Sequence, residues 1–113
     1  MTLRPLVLAG ITLVALPLSA SAECGAGYCR GVGAEVVQTA TVDSAAVYFM
    51  VPIGANLGCT LIEGVYMKLE RANPAFRDIY ATYLTAVAQG QYFQIGVDGS
   101  SSCTVANIRV WNN

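Results

Sequence analysis

The chain is 113 residues long, contains no histidine, and has only 12% charged residues with a formal net charge of −1. That length accommodates one small domain. Without histidine there is no Ser-His-Asp triad, no Cys-His dyad and no His-ligated zinc, and the near-neutral charge argues against a basic surface for nucleic acid.

The first segment reads as an address. Arg4 is followed by a mostly apolar run over 6–18, and Ala20 and Ala22 stand in an A-x-A pattern. This is the order of a secretory signal peptide, with cleavage between Ala22 and Glu23. As a helix the apolar run reaches about 20 Å, against roughly 30 Å of bilayer hydrocarbon, so it predicts a leader and not an anchor. Residues 1–22 are therefore the expected leader and 23–113 a single domain, secreted or periplasmic. No later segment is long enough to span a membrane.

Export accounts for the cysteines. Cys24, Cys29, Cys59 and Cys103 all follow the leader, and an even count in a small exported domain predicts two disulfides. Gly25 and Gly27 let Cys24 and Cys29 close a tight loop, which pairs Cys59 with Cys103. A zinc held by four thiolates is the alternative, but such sites favour paired C-x2-C knuckles, which are absent.

The elements follow in order. Residues 23–33 form a glycine-rich lead-in. Residues 34–42 (AEVVQTATV) are rich in Val and Thr and predict a first strand, with Asp43 and Ser44 as a turn. Residues 45–51 (AAVYFMV) make a second strand, ended by Pro52 and a Gly-rich loop. Residues 60–69 make a third, with a bulge expected at Gly64. Asn73 and Pro74 open a helix. Its apolar stripe is Phe76, Ile79, Tyr80, Tyr83, Leu84 and Val87, and Gly90 stops it. Residues 91–98 and 103–111 are the last two strands, joined by a Ser-rich turn, with a bulge expected near Ala106 and Asn107.

The order β-β-β-α-β-β predicts a mainly β domain with one helix, a five-stranded OB-fold-like barrel. Residues 76–111 (FRDIYATYLTAVAQGQYFQIGVDGSSSCTVANIRVW) run from a helix ending in Gly, through a strand and a Ser-rich turn, to a cysteine that opens the last strand. Residues 46–51 (AVYFMV) and 58–69 (GCTLIEGVYMKL) fit the same plan. In this the chain resembles small exported bacterial proteins related to AB5-toxin B subunits, of the subtilase-cytotoxin and typhoid-toxin type, over about 36–111. The resemblance implies an OB-fold homopentameric ring, a sialoglycan ligand on cell surfaces and a separate catalytic A subunit.

The residues themselves argue for binding and against catalysis. Glu23, Glu35, Asp43, Glu63, Glu70, Asp78 and Asp98 are scattered over different elements, with no sign of the paired carboxylates of a glycosidase. All four cysteines are committed to bridges, so no thiolate nucleophile remains. No enzyme, cofactor or metal is expected. OB-folds bind ligands on strands 2 and 3, framed by the 1–2 and 4–5 loops. The ligand-binding candidates are thus Asp43 and Ser44, Tyr48 and Tyr66, and Asp98, Ser100, Ser101 and Ser102. Carboxylates and hydroxyls suit sugar hydroxyls, tyrosine faces suit sugar C–H surfaces, and nucleic acid would need a basic groove. A charge content half the ordinary value suggests surface covered by other subunits. The alternative is a monomeric exported interaction or inhibitor protein without lectin activity.

Overall fold

The computed structural model describes residues 22–99 and 101–112; the leader and Ser100 lie outside the described residues, Ala22 apart. The elements are β1 Glu23–Gly25, β2 Tyr28–Val32, a 3-10 turn Gly33–Glu35, β3 Ala40–Val42, β4 Ala46–Met50, β5 Tyr66–Glu70, α1 Phe76–Ala88, β6 Tyr92–Val97 and β7 Val105–Val110. The domain is mainly β with one helix. The strands form two open antiparallel sheets, ordered β1-β2-β6-β7 and β3-β4-β5.

The sequence reading and the structure differ first in the lead-in. Residues 23–32 fold as a β-hairpin turned at Ala26 and Gly27, with Cys24 paired directly opposite Cys29. Gly27 sits at φ 88°, the left-handed region a two-residue hairpin turn demands. The Tyr28 ring lies over Gly25, where a Cβ would meet its hydroxyl at 2.8 Å. The glycines therefore belong to a strand pair, not a loop. The expected strand over 34–42 is interrupted instead. The 3-10 turn tucks Val36 and Val37 into the core, and only Ala40–Val42 pairs, with Val47 to Phe49.

Elsewhere the fold follows the pattern in part. β4 falls inside the expected 45–51. The third strand is shortened to Tyr66–Glu70, because Glu63 and Gly64 make a turn closed by the Val65 N–H donating to the Ile62 carbonyl at 3.1 Å. Asn73 caps the approach to α1, its Oδ1 accepting from the Ala75 N–H at 2.8 Å. Gly90, at φ 65°, ends the helix. The Gln91 N–H reaches the Ala86 carbonyl and the Gly90 N–H the Val87 carbonyl, the paired bonds of a Schellman stop. The buried helical positions are Ile79, Tyr83 and Ala86, so the core face is rotated from the expected stripe and leaves Leu84 and Val87 exposed. The bulge in β7 is present: Gly96 pairs Asn107 and Val97 pairs Val105, leaving Ala106 as the extra residue.

The core lies between the sheets. Phe49 and Met67 come from one, Phe93 and Ile95 from the other, all essentially inaccessible. Tyr83 joins them, its ring 4.8 Å from Phe49 and 5.9 Å from Phe93; burial pushes its phenol pKa up. Along one side the sheets also meet through backbone. Lys68 bridges Thr104 and Thr60 bridges Ser102, both parallel, and the Lys68 N–H donates to the Cys103 carbonyl at 2.9 Å. The Cys59–Cys103 disulfide sits at this junction, and Cys24–Cys29 staples the hairpin. Two disulfides in a small β-rich domain are consistent with an oxidising, extracytoplasmic compartment. Among the described residues no helix is long and apolar enough to cross a membrane.

Candidate functional site

The three-stranded sheet turns one face to the core and the other outward. Val47, Phe49, Met67 and Leu69 point inward, so by the two-residue period Tyr48, Tyr66 and Lys68 point out. Tyr48 stands opposite Thr41 on one side and Lys68 on the other. Tyr66 is diagonal to it, and the two rings meet edge to face at 6.1 Å, within the diagonal reach of aromatic side chains.

Two turns close this outer face into a cleft. The β3–β4 turn carries Asp43, whose Oδ1 accepts from the Ala45 N–H at 2.8 Å and the Ala46 N–H at 2.9 Å. This Asx turn fixes the carboxylate. The same two N–H groups, with a smaller contribution from nearby Arg71, hold its pKa below the usual value. The other turn carries Ile62 and Glu63. Glu63 is at φ 54°, the single non-glycine residue at positive φ among the described residues. Such strain of about 1–3 kcal/mol tends to collect at functional sites. Thr41, Asp43, Tyr48, Ile62, Glu63 and Tyr66 together line a cleft of about 290 Å³. Its lining holds two carboxylates, a hydroxyl, two phenols and no cationic side chain.

The structure thus brings Asp43, Tyr48 and Tyr66 together. Ser44 is exposed in the same turn as Asp43 but does not line the cleft. The 4–5 loop residues lie at the sheet junction instead. The Ser101 carbonyl accepts from the Thr60 N–H at 2.9 Å, and the Asp98 N–H donates to the Thr104 carbonyl at 3.0 Å. Ser102 pairs with Thr60. Ser101 and Ser102 are therefore engaged, at least through backbone, in joining the two sheets, and Asp98 in closing the β6–β7 connection; Ser100 is outside the described residues. Thr41, Ile62 and Glu63 escaped the sequence reading. Their signal is the Glu63-Gly64 pair, which reads equally as a bulge or as a turn. Among the described residues no group of three or more metal-ligating side chains is assembled. No family model, no curated protein and no solved structure matches the chain.

Proposed function

We propose that this protein is a non-catalytic glycan-binding module that takes one sugar ring into the cleft between Tyr48 and Tyr66. The observation that carries the reading is the convergence of Asp43 and Tyr48 with Tyr66, which comes from a different strand beyond the long loop after β4. Sugars present an apolar C–H face and a rim of hydroxyls. The tyrosine rings suit the first, and the two carboxylates and the Thr41 hydroxyl suit the second. At about 290 Å³ the cleft is at the small end of ligand sites, the scale of a single ring. Asp43 and Glu63 favour a neutral sugar here, because an anionic one would meet like charge. Nucleic acid is disfavoured for the same reason.

The fold reading behind this is a partly open OB-like barrel. It is supported by the run of β2 toward β3 through the 3-10 turn, by the parallel bridges of Lys68 in β5 with Thr104 and of Thr60 with Ser102, and by the helix between β5 and β6. In that frame the cleft lies on strands 2 and 3 beside the 1–2 loop, where OB-folds bind saccharides. A homo-oligomeric ring is part of the proposal. It is supported by β3, an edge strand whose residues are all exposed, the kind of edge that natural proteins cover.

Two carboxylates in one cleft are also the minimum for glycoside hydrolysis, which needs one carboxyl kept protonated. Asp43 is held anionic and so suits only the ionised partner of such a pair, while Glu63 is solvent-exposed and not enclosed in the apolar pocket that a catalytic acid occupies, so binding is the better-supported reading. A glycan array of neutral and sialylated sugars on the oxidised protein tests it, with release of reducing sugar followed in parallel. Neutral-sugar binding that falls at least about tenfold in Tyr48→Ala and Asp43→Ala supports it, a loss typical of charged or stacked contacts. Absence of any glycan binding, or turnover of the bound sugar, overturns it.

A further inference from the structure

The four-stranded sheet carries a second outward face. Cys29, Phe93 and Ile95 are buried, so the alternate residues of β2, β6 and β7 face out. The strand register sorts them into rows. Arg30 stands opposite Gln94, and Gln94 opposite Arg109. On one side Val32 stands opposite Tyr92, and Trp111 adjoins it, its ring 5.2 Å from that of Tyr92. On the other side Tyr28, Gly96 and Asn107 are opposite one another. The Asn107 amide lies over Gly96, where a Cβ would come within 2.5 Å of its Oδ1. Neighbouring strands are about 4.8 Å apart, so the face carries an apolar corner at one end, where the Tyr92 and Trp111 rings stand at 81° to each other, and hydrogen-bonding groups across the middle.

The charges on this face are unequal. Arg30 is neutralised by Glu23, whose Oε1 accepts from its Nη2 at 2.9 Å and its Nε at 3.1 Å. Arg109 packs over the Trp111 ring at 5.8 Å and forms no ion pair among the described residues. In a chain of net charge −1 the face is left with one uncompensated guanidinium. It stands on an exposed aromatic and is flanked by the amides of Gln94 and Asn107. A guanidinium accepts a carboxylate bidentately, and the amides offer both donors and acceptors.

We infer that this face binds a hexuronate residue of an acidic glycan, with its carboxylate on Arg109, its hydroxyls on Gln94 and Asn107, and its C–H face toward Tyr92 and Trp111. The equatorial carboxylate of a hexuronate lies near the mean plane of its ring. A ring whose C–H face rests on one wall of the aromatic corner therefore keeps its carboxylate in its own plane, turned toward the Arg109 guanidinium that packs on Trp111. A sialate, with its carboxylate axial and a bulky glycerol arm, does not lie flat in this way. The inference is independent of the cleft, which concerns a neutral sugar on the other sheet.

Trp111 is the chain's sole tryptophan, so intrinsic fluorescence reports this face. The oxidised protein is titrated with an unsulfated oligosaccharide of alternating glucuronate and N-acetylglucosamine, with its carboxyl-reduced form and with 3′-sialyllactose. A saturable change with the first, weakened by salt and absent with the other two, is expected. Arg109→Gln should lower the affinity at least about tenfold, Arg109→Lys should restore part of it, and Arg77→Gln, a charge-matched change on α1, should leave it unchanged. Arg109 is exposed, so these variants keep the fold. Equal response to the carboxyl-reduced sugar, response to sialyllactose alone, no saturable response, or an unaffected Arg109→Gln each overturns the inference.

Discussion

Glu63 and Asp43 show how single residues set this site. Glu63 occupies a conformation that L side chains other than Asn and Asp visit at a cost of about 1–2 kcal/mol. Glu63→Asn should therefore raise stability by up to about 1 kcal/mol in urea unfolding, and Glu63→Val should lower it by more than that. If Glu63 also serves the cleft, the stabilised variant binds neutral sugar less well, and the two readouts move in opposite directions. Asp43 carries a pH signature. Its folded pKa lies below its unfolded one because two backbone N–H groups favour the anion. Its contribution is thus present above about pH 4 and is lost as pH falls through the folded value. Asp43→Asn keeps the Asx turn but loses the charge, so it should lower stability slightly near pH 7 and flatten the acid-side loss below about pH 4, measured by urea midpoints across pH. The turn role of Asp43 was legible from an Asp-Ser pair between apolar runs. The left-handed Glu63 was not, because a residue of that type carries no preference for such a φ.

At the scale of elements the two bridges differ in leverage. Cys59–Cys103 spans a sequence separation of 44 and Cys24–Cys29 one of 5. Chain-entropy arithmetic assigns them about 4 and about 2 kcal/mol. Replacing Cys59 and Cys103 together by serine should therefore cost clearly more, by thermal unfolding, than replacing Cys24 and Cys29 together. Equal costs would mean that the strength of the hairpin staple is not set by loop length. The pairing was readable from spacing alone, as were the helix, its Asn73 approach and its Gly90 stop, since each rests on local chemistry. The β1–β2 hairpin was not. Four glycines in a short stretch suppress strand propensity, and pairing with β6 supplies what propensity lacks. The rotated helix face escaped for a related reason: Ala86 is small enough to sit flush between the sheets, and an apolar count favours Leu84 and Val87 over it.

For the whole molecule the sequence reading led to five strands, while the described residues form seven in two open sheets. The number changed because the lead-in holds both strands of a hairpin, β1 and β2; the 3-10 turn shortens the expected strand over 34–42 without adding one. The convergence of Tyr48 and Tyr66 was foreseen. The absence of Asp98, Ser101 and Ser102 from the cleft lining was not, since it depends on how the Thr60–Ser102 bridge joins the sheets. The ring proposal makes a prediction at this scale. The oxidised protein should sediment as a discrete assembly of about five chains at micromolar concentration, through a heterologous interface that uses two different patches. Val42→Lys on the exposed edge strand β3 should dissociate it without unfolding the domain. A clean monomer would remove the ring and leave the inhibitor alternative.

The sequential, non-overlapping arrangement of the disulfides has a consequence for the order in which the chain becomes available. A polypeptide that emerges N-terminus first presents Cys24 and Cys29 almost together, long before Cys59. Closing the short loop between them does not wait for β6, because loops of that size close in well under about a microsecond, far ahead of thiol oxidation. Of the three connectivities open to four cysteines, two are thereby discarded before the third cysteine appears. Cys59 then waits as a lone thiol through most of the remaining chain, and its partner arrives only after the helix and β6. Vectorial emergence thus acts as a proofreader of the covalent framework, and the waiting interval of Cys59 is its one vulnerable period.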